Sequence, residues 1–124
     1  MSPVRLFLYG TLKRGGRNHR LMAGQAFAGP AATAPRYRLF DLGPFPGLVE
    51  AASGVSVRGE LWDVTPECLA ALDCFEGTDV GLFRRAEVEL ADGTRVQGYF
   101  YTEGVEGRPD LGEDYRITAP GPGR

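Results

Sequence analysis

A chain of 124 residues, 43% hydrophobic and 24% charged, has the length and apolar content for one folded domain around a single core. Its net charge of −2 presents no basic face to nucleic acid, and Lys13, Arg14, Arg17 and Arg20 read as a solvated loop and helix face. No run is long enough to span a membrane, and the start lacks the charged-then-apolar layout of a secretion signal, so the expected location is the cytoplasm.

The first element is a short apolar run, Val4 to Tyr9, bounded by glycine, which predicts a buried strand. It stops at Gly10-Thr11-Leu12, ahead of the charged, glycine-rich Lys13-Arg14-Gly15-Gly16. A strand that ends on glycine can turn its next N–H groups toward one point, a cradle for a carboxylate or a developing oxyanion. The same residues also serve as a plain turn out of a first strand.

Asn18 to Met22 predicts a short helix ended by Gly24, with Asn18 as N-cap or loop tie. His19 reads as a surface or packing histidine. Strands are expected at Gln25 to Thr33 and Tyr37 to Leu42. Between Gly43 and Gly47, two prolines and two glycines predict a rigid irregular loop, with Phe45 at a site mouth or over the core edge. Val55 to Val64 alternates as a long strand, with Val57 and Leu61 on one face and Trp62 and Val64 on the other.

A helix start follows: Thr65 as N-cap, Pro66 in the first turn, Glu67 just inside, and Gly77 as the stop. Phe83 to Leu90 and Arg95 to Tyr101 predict a hairpin around Asp92-Gly93. From Thr102 the chain is rich in glycine, proline and charge, and its last residues are expected to be mobile. The expected fold class is therefore α+β: a small mixed β-barrel or curled sheet, with one main helix and a short helix. A single domain is expected over 1–105, with 106–124 as a partly flexible tail.

Cys68 and Cys74 fall on one helix, roughly 9 Å apart along its axis, too far for a disulfide without breaking the helix. That suits a reducing compartment. One histidine and no Cys-x-x-Cys pair predict no metal site, and nothing near His19 suggests an activated cysteine–histidine pair.

The informative oddity is Glu76. Leu69, Leu72 and Glu76 share one side of the helix, close to Cys68 and Phe75, so a core-facing stripe ends in a carboxylate. A buried carboxylate either finds a partner or takes a raised pKa, and Asp73 one turn earlier can add like-charge repulsion. A raised carboxyl can accept and return a proton near neutral pH. Alternatively, Glu76 bonds exposed N–H groups, Arg84 or Arg85, or frays into water.

Taken together, Leu8-Tyr9-Gly10-Thr11-Leu12-Lys13-Arg14-Gly15 and Gly16-Arg17-Asn18-His19-Arg20-Leu21 strongly resemble the γ-glutamylcyclotransferase superfamily. Leu72-Asp73-Cys74-Phe75-Glu76-Gly77, Phe83-Arg84-Arg85 and Val96-Gln97-Gly98-Tyr99-Phe100-Tyr101 match its later blocks, and the branch most resembled is the γ-glutamylamine cyclotransferases. The resemblance implies a cofactor-free conversion, lyase or acyltransferase in type, of a γ-glutamyl amine or amide into 5-oxoproline and free amine. It implies Glu76 as the acid/base. Tyr9, Gly10, Thr11 and Leu12 would hold the glutamyl end, and Tyr101 would border the pocket. The implied partner is a small γ-glutamyl molecule, with no nucleic acid and no membrane, in a monomer or weak dimer. Relatives commonly carry a tyrosine where this chain has Phe83, which puts leaving-group preference in doubt. Two rival readings are a module that binds an acidic metabolite in the same pocket without turnover, and an interaction barrel in which Glu76 is only a cap.

Overall fold

The structure, a computed structural model, describes residues 2–116. Strand β1 (Val4–Leu8) leads through a glycine-rich loop and a 3-10 turn (His19–Met22) to β2 (Ala26–Ala32). A hairpin, β3 (Tyr37–Asp41) and β4 (Pro46–Glu50), precedes β5 (Arg58–Val64) and the helix α1 (Pro66–Glu76). A second 3-10 turn (Thr78–Val80), the hairpin β6 (Phe83–Glu89) and β7 (Arg95–Tyr101), and the short β8 (Asp110–Gly112) complete it.

β1 is the central strand of a five-stranded sheet ordered β2-β5-β1-β7-β6, antiparallel to β5 and parallel to β7. Its two faces are both buried, which is why its sequence is a continuous apolar run rather than an alternation. Leu6 and Leu8 pack with Trp62, Val64, Leu69 and Leu72 on the helix side. Phe7 and Tyr9 pack with Val57, Leu39, Leu48 and Phe100 on the other, where a second sheet of order β4-β3-β8 covers the first. The two faces of β5 divide as its alternation predicts, Trp62 and Val64 toward the helix and Leu61, with Val57 just ahead of the strand, toward the second sheet.

The α+β class holds, but the sheet does not close into a barrel. Its edges β2 and β6 meet only at the bridge Thr33–Leu90 and two flanking main-chain bonds, Ala34 N–H to Glu89 O and Ala91 N–H to Ala32 O, each 2.9 Å. β2 carries a bulge at Phe27–Gly29, and Pro30 has no N–H to donate, so it makes an edge strand rather than one paired on both sides.

α1 starts and stops where its caps predict. The Thr65 hydroxyl accepts from Cys68 N–H at 3.2 Å, Pro66 occupies the first turn, and Gly77 takes the left-handed conformation (φ 72°) that ends the helix. Leu69 and Leu72 are buried, and Cys68 and Cys74 are both free thiols.

Three expectations change. The Gly43–Gly47 segment is not wholly irregular: Pro46 and Gly47 pair with Asp41 and Phe40, leaving only the loop Leu42 to Phe45. Proline is tolerated there because it is the first residue of its strand. Lys13 is buried rather than solvated, its ammonium donating to Tyr115 O at 2.8 Å and lying 3.4 Å from Asp114. The segment after Tyr101 contributes β8, which extends β3; the last residues, expected to be mobile, lie outside the described residues. No helix among the described residues is long and apolar enough to cross a membrane.

Candidate active site

The end of β1 and the end of α1 meet at one place. β1 stops at Leu8, and the next four residues turn sharply over the sheet edge. Gly10 O accepts from Lys13 N–H at 3.1 Å, Thr11 O from Asn18 N–H at 3.1 Å, and Lys13 O from Gly16 N–H at 2.8 Å. His19 Nδ1 lies 2.8 Å from Leu12 O, an acceptor, so this ring nitrogen carries the proton. The carbonyls of the turn are thus engaged by the following loop. The N–H groups of Gly10, Thr11 and Leu12 find no acceptor among the described residues. Main-chain donors do not stay unpaired without a partner in solvent or ligand.

Glycine is required twice here. A Cβ on Gly10 would stand 2.9 Å from the Pro46 ring, and one on Gly16 would stand 2.1 Å from Thr11 O. Asn18 acts as the loop tie rather than a cap, its Nδ2 donating to Thr11 Oγ1 at 2.9 Å. His19 packs edge-on against Trp62, with centroids 5.3 Å apart, as a structural residue.

Glu76 is the last residue of α1 and faces this turn. It lines a small pocket of about 30 Å³, together with Leu8, Tyr9, Gly10, Leu12 and Tyr99. It also lines a larger neighbouring cleft of about 220 Å³, bordered by Thr11, Asn18, Phe45, Phe75, Leu82 and Phe83. Among the described residues its carboxyl has no hydrogen-bond or ion-pair partner. The two arginines considered as its partners are engaged elsewhere, Arg85 by Asp73 and Arg84 by Glu50 at 3.8 Å. Burial pushes the Glu76 carboxyl up to about 7.

The like-charge contribution expected of Asp73 is not the cause of that rise. Arg85 grips Asp73 through two bonds of 2.9 and 3.2 Å, and the Tyr99 hydroxyl donates to it at 2.6 Å, so its charge is balanced locally. Gln97 holds the other side of Arg85 at 3.0 Å.

Of the residues singled out in the sequence, Glu76, Tyr9, Gly10, Thr11 and Leu12 come together here. The Tyr9 hydroxyl itself is committed elsewhere: it donates to Tyr99 O at 2.8 Å and accepts from Leu48 N–H at 3.3 Å, pinning the end of β1 to both sheets. Its burial, first, and the Glu76 charge, second, hold its phenol protonated well above the usual range. Tyr101 lines neither cavity that Glu76 lines. Its ring packs 5.6 Å from Phe83, which in turn packs 5.7 Å from Phe45, so it reaches the cleft only through Phe83.

Tyr99 was not anticipated. It sits one pleat earlier on the same face as Tyr101, and the register of β6 with β7 sets it opposite Arg85. Phe75 and Leu82, exposed large apolar side chains beside Glu76, were likewise missed as cleft walls.

The end of α1 and the turn after the central strand of this α+β fold thus share one pocket, with Glu76 beside Gly10 and Leu12. Residues 6–117 match the family described as gamma-glutamyl cyclotransferase, AIG2-like, and the chain belongs to that family. A relative from Vibrio cholerae is 42% identical over 98 residues, which span 79% of this chain and 82% of its own. The gamma-glutamylaminecyclotransferase of Rattus norvegicus is 38% identical over 93 residues, 68% of this chain and 62% of that protein. The crystal structure of an AIG2-like protein from Mus musculus superposes with a TM-score of 0.76 at 29% identity, covering 97% of this chain and 92% of that one.

Proposed function

We propose that the protein is a γ-glutamylcyclotransferase-type enzyme that converts a γ-glutamyl amine or amide into 5-oxoproline and the free amine. The single observation that carries the reading is that Glu76, half-buried and without a partner among the described residues, lines the same pocket as Gly10 and Leu12, whose N–H groups find no acceptor among those residues.

In this reaction the nucleophile is part of the substrate. The glutamyl α-amino nitrogen attacks its own γ-carbonyl carbon, a five-membered ring closes, and the bond from that carbon to the amine nitrogen breaks. The tether supplies effective concentration, so the protein needs no nucleophile of its own and must instead hold the folded-back conformer. The amides after Tyr9 hold the glutamyl end and stabilise the oxygen that gains charge as the ring closes. Glu76 takes a proton from the attacking nitrogen and returns one to the departing nitrogen. A carboxyl at about 7 has both forms available at neutral pH, which this two-way transfer requires. Tyr101 serves the cleft by backing Phe83.

The test is to incubate the protein with a γ-glutamyl alkylamide and follow both products. The reading expects 5-oxoproline and amine in equal amounts. Release of glutamate in place of 5-oxoproline, or no release, overturns it.

A further inference from the structure

Among Lys13, Arg14, Arg17 and Arg20, only Lys13 is buried, its side chain 10% exposed. Taking an ammonium out of water is unfavourable unless its protons and its charge are both met. Residues 101 and 102 positions later meet them: Tyr115 O accepts from Lys13 Nζ at 2.8 Å, and the Asp114 carboxylate lies 3.4 Å away. The proton transfers assigned to Glu76 make no use of this group.

The segment that receives Lys13 is anchored without it. Asp110 and Gly112 pair with Phe40 and Leu39 of β3, and Arg58 N–H donates to Glu113 O at 2.7 Å. Leu111 and Tyr115 pack against the part of the core that holds Tyr9. The turn after β1 is the opposite case, because the N–H groups of Gly10, Thr11 and Leu12 have no acceptor among the described residues. Its shape depends on its far end, and that end is Lys13. The Lys13 N–H closes the turn onto Gly10 O at 3.1 Å, and Lys13 O accepts from Gly16 N–H at 2.8 Å. The next residue, Arg14, is braced from β5, its N–H and its guanidinium bonding Glu60 at 3.0 and 3.1 Å.

We infer that Lys13 is a positioning residue: its ammonium moors the turn after β1 to the segment 110–115 and so keeps Gly10 to Leu12 in their binding shape. This rests on the γ-glutamyl reading above, in which those amides hold the glutamyl end. An ion pair on open surface adds little, since water competes for both charges. Here the ammonium is nearly out of water, and its shorter bond goes to a main-chain carbonyl that no side-chain rotation removes. Without the tie the turn samples other shapes, and a ligand binds only the fraction that is correctly formed. Affinity falls by that fraction, whereas the complex, once assembled, reacts as before.

The experiment measures kcat and KM for 5-oxoproline release from γ-glutamyl methylamide, with urea unfolding alongside. Lys13→Met keeps the apolar stem and removes the ammonium. It is expected to raise KM by about tenfold and to leave kcat within about threefold of the wild type. Asp114→Asn removes only the longer contact, so its KM is expected to rise about two- to threefold, and to add nothing in the Lys13→Met background. Asp110→Asn is the control. It breaks a 2.7 Å pair with Arg38 in the same segment, away from the turn, and is expected to lower stability with KM unchanged.

An unchanged KM in folded Lys13→Met, or an equal rise in Asp110→Asn, overturns the inference while leaving the cyclising reaction standing. If Lys13→Met does not fold, Asp114→Asn decides alone, and an unmoved KM there overturns it. A wild type that yields no 5-oxoproline removes the γ-glutamyl reading and this inference with it.

Discussion

Asp73 and Glu76 stand three residues apart at the end of α1, yet their surroundings are opposite. Asp73 is gripped by Arg85 and by the Tyr99 hydroxyl, whereas Glu76 has no partner among the described residues and shares a pocket with Gly10 and Leu12. Asp73 is thereby tied into the fold. Glu76 is left able to exchange a proton, the division of labour by which one site keeps two acids distinct.

Asp73→Asn should be the more damaging of the two changes to the fold. It leaves the Arg85 guanidinium half-buried without its counter-charge and weakens the Tyr99 bond. Because both charged groups retain contact with water, the expected loss is about 1–2 kcal/mol, short of that for a fully buried pair. Urea unfolding measures it, and an unchanged midpoint would show the ion pair to be incidental.

Glu76 should act on stability in the opposite sense. Its folded-state pKa is raised from 4.5 to about 7, so between those values the native state binds more protons than the unfolded chain. Stability therefore falls as pH rises through that window and remains reduced above it. Glu76→Gln should match the wild type near pH 4 and exceed it above pH 7 by on the order of 2–3 kcal/mol. Thermal melts across pH measure the difference, and a constant gap between the two proteins contradicts the assigned environment.

The same titration should appear in turnover. The free enzyme needs Glu76 ionised to accept the first proton, so kcat/KM should climb with pH and level off above about 7. A profile whose rising limb falls near the ordinary carboxyl value of 4.5 would mean that Glu76 is solvated in the working enzyme.

Gly16→Ala should disable the amide turn without touching Glu76. The new methyl would run into the main-chain carbonyl oxygen of Thr11, which cannot swing aside, so the loop must shift. The expected cost is about 1–3 kcal/mol of stability together with a disproportionate rise in KM. Full activity in this variant would argue against the turn as the holder of the glutamyl end.

What was legible in the sequence was local. Thr65, Pro66 and Gly77 define α1 because capping depends on residues within a turn of each end. The doubly buried β1 was legible as an uninterrupted apolar run. β4 and β8 were not, since Pro46-Gly47 and Asp110-Leu111-Gly112 carry little strand preference and are strands only because β3 lies between them. At the site, Glu76 stood out because a carboxylate ending an apolar stripe conflicts with its surroundings. Tyr99 could have been found only from register: it shares the face of Tyr101, and its pairing opposite Arg85 brings it, rather than Tyr101, beside Asp73. Burial of Lys13 was hidden because its partners lie about a hundred positions later, at Asp114 and Tyr115.

The most direct measurement compares turnover and binding in Glu76→Gln. The account predicts that the variant still binds 5-oxoproline with near wild-type affinity, by calorimetry, while its kcat on a γ-glutamyl amide falls by about a hundredfold or more. Retained turnover in Glu76→Gln, at any pH, would contradict the role given to this carboxyl.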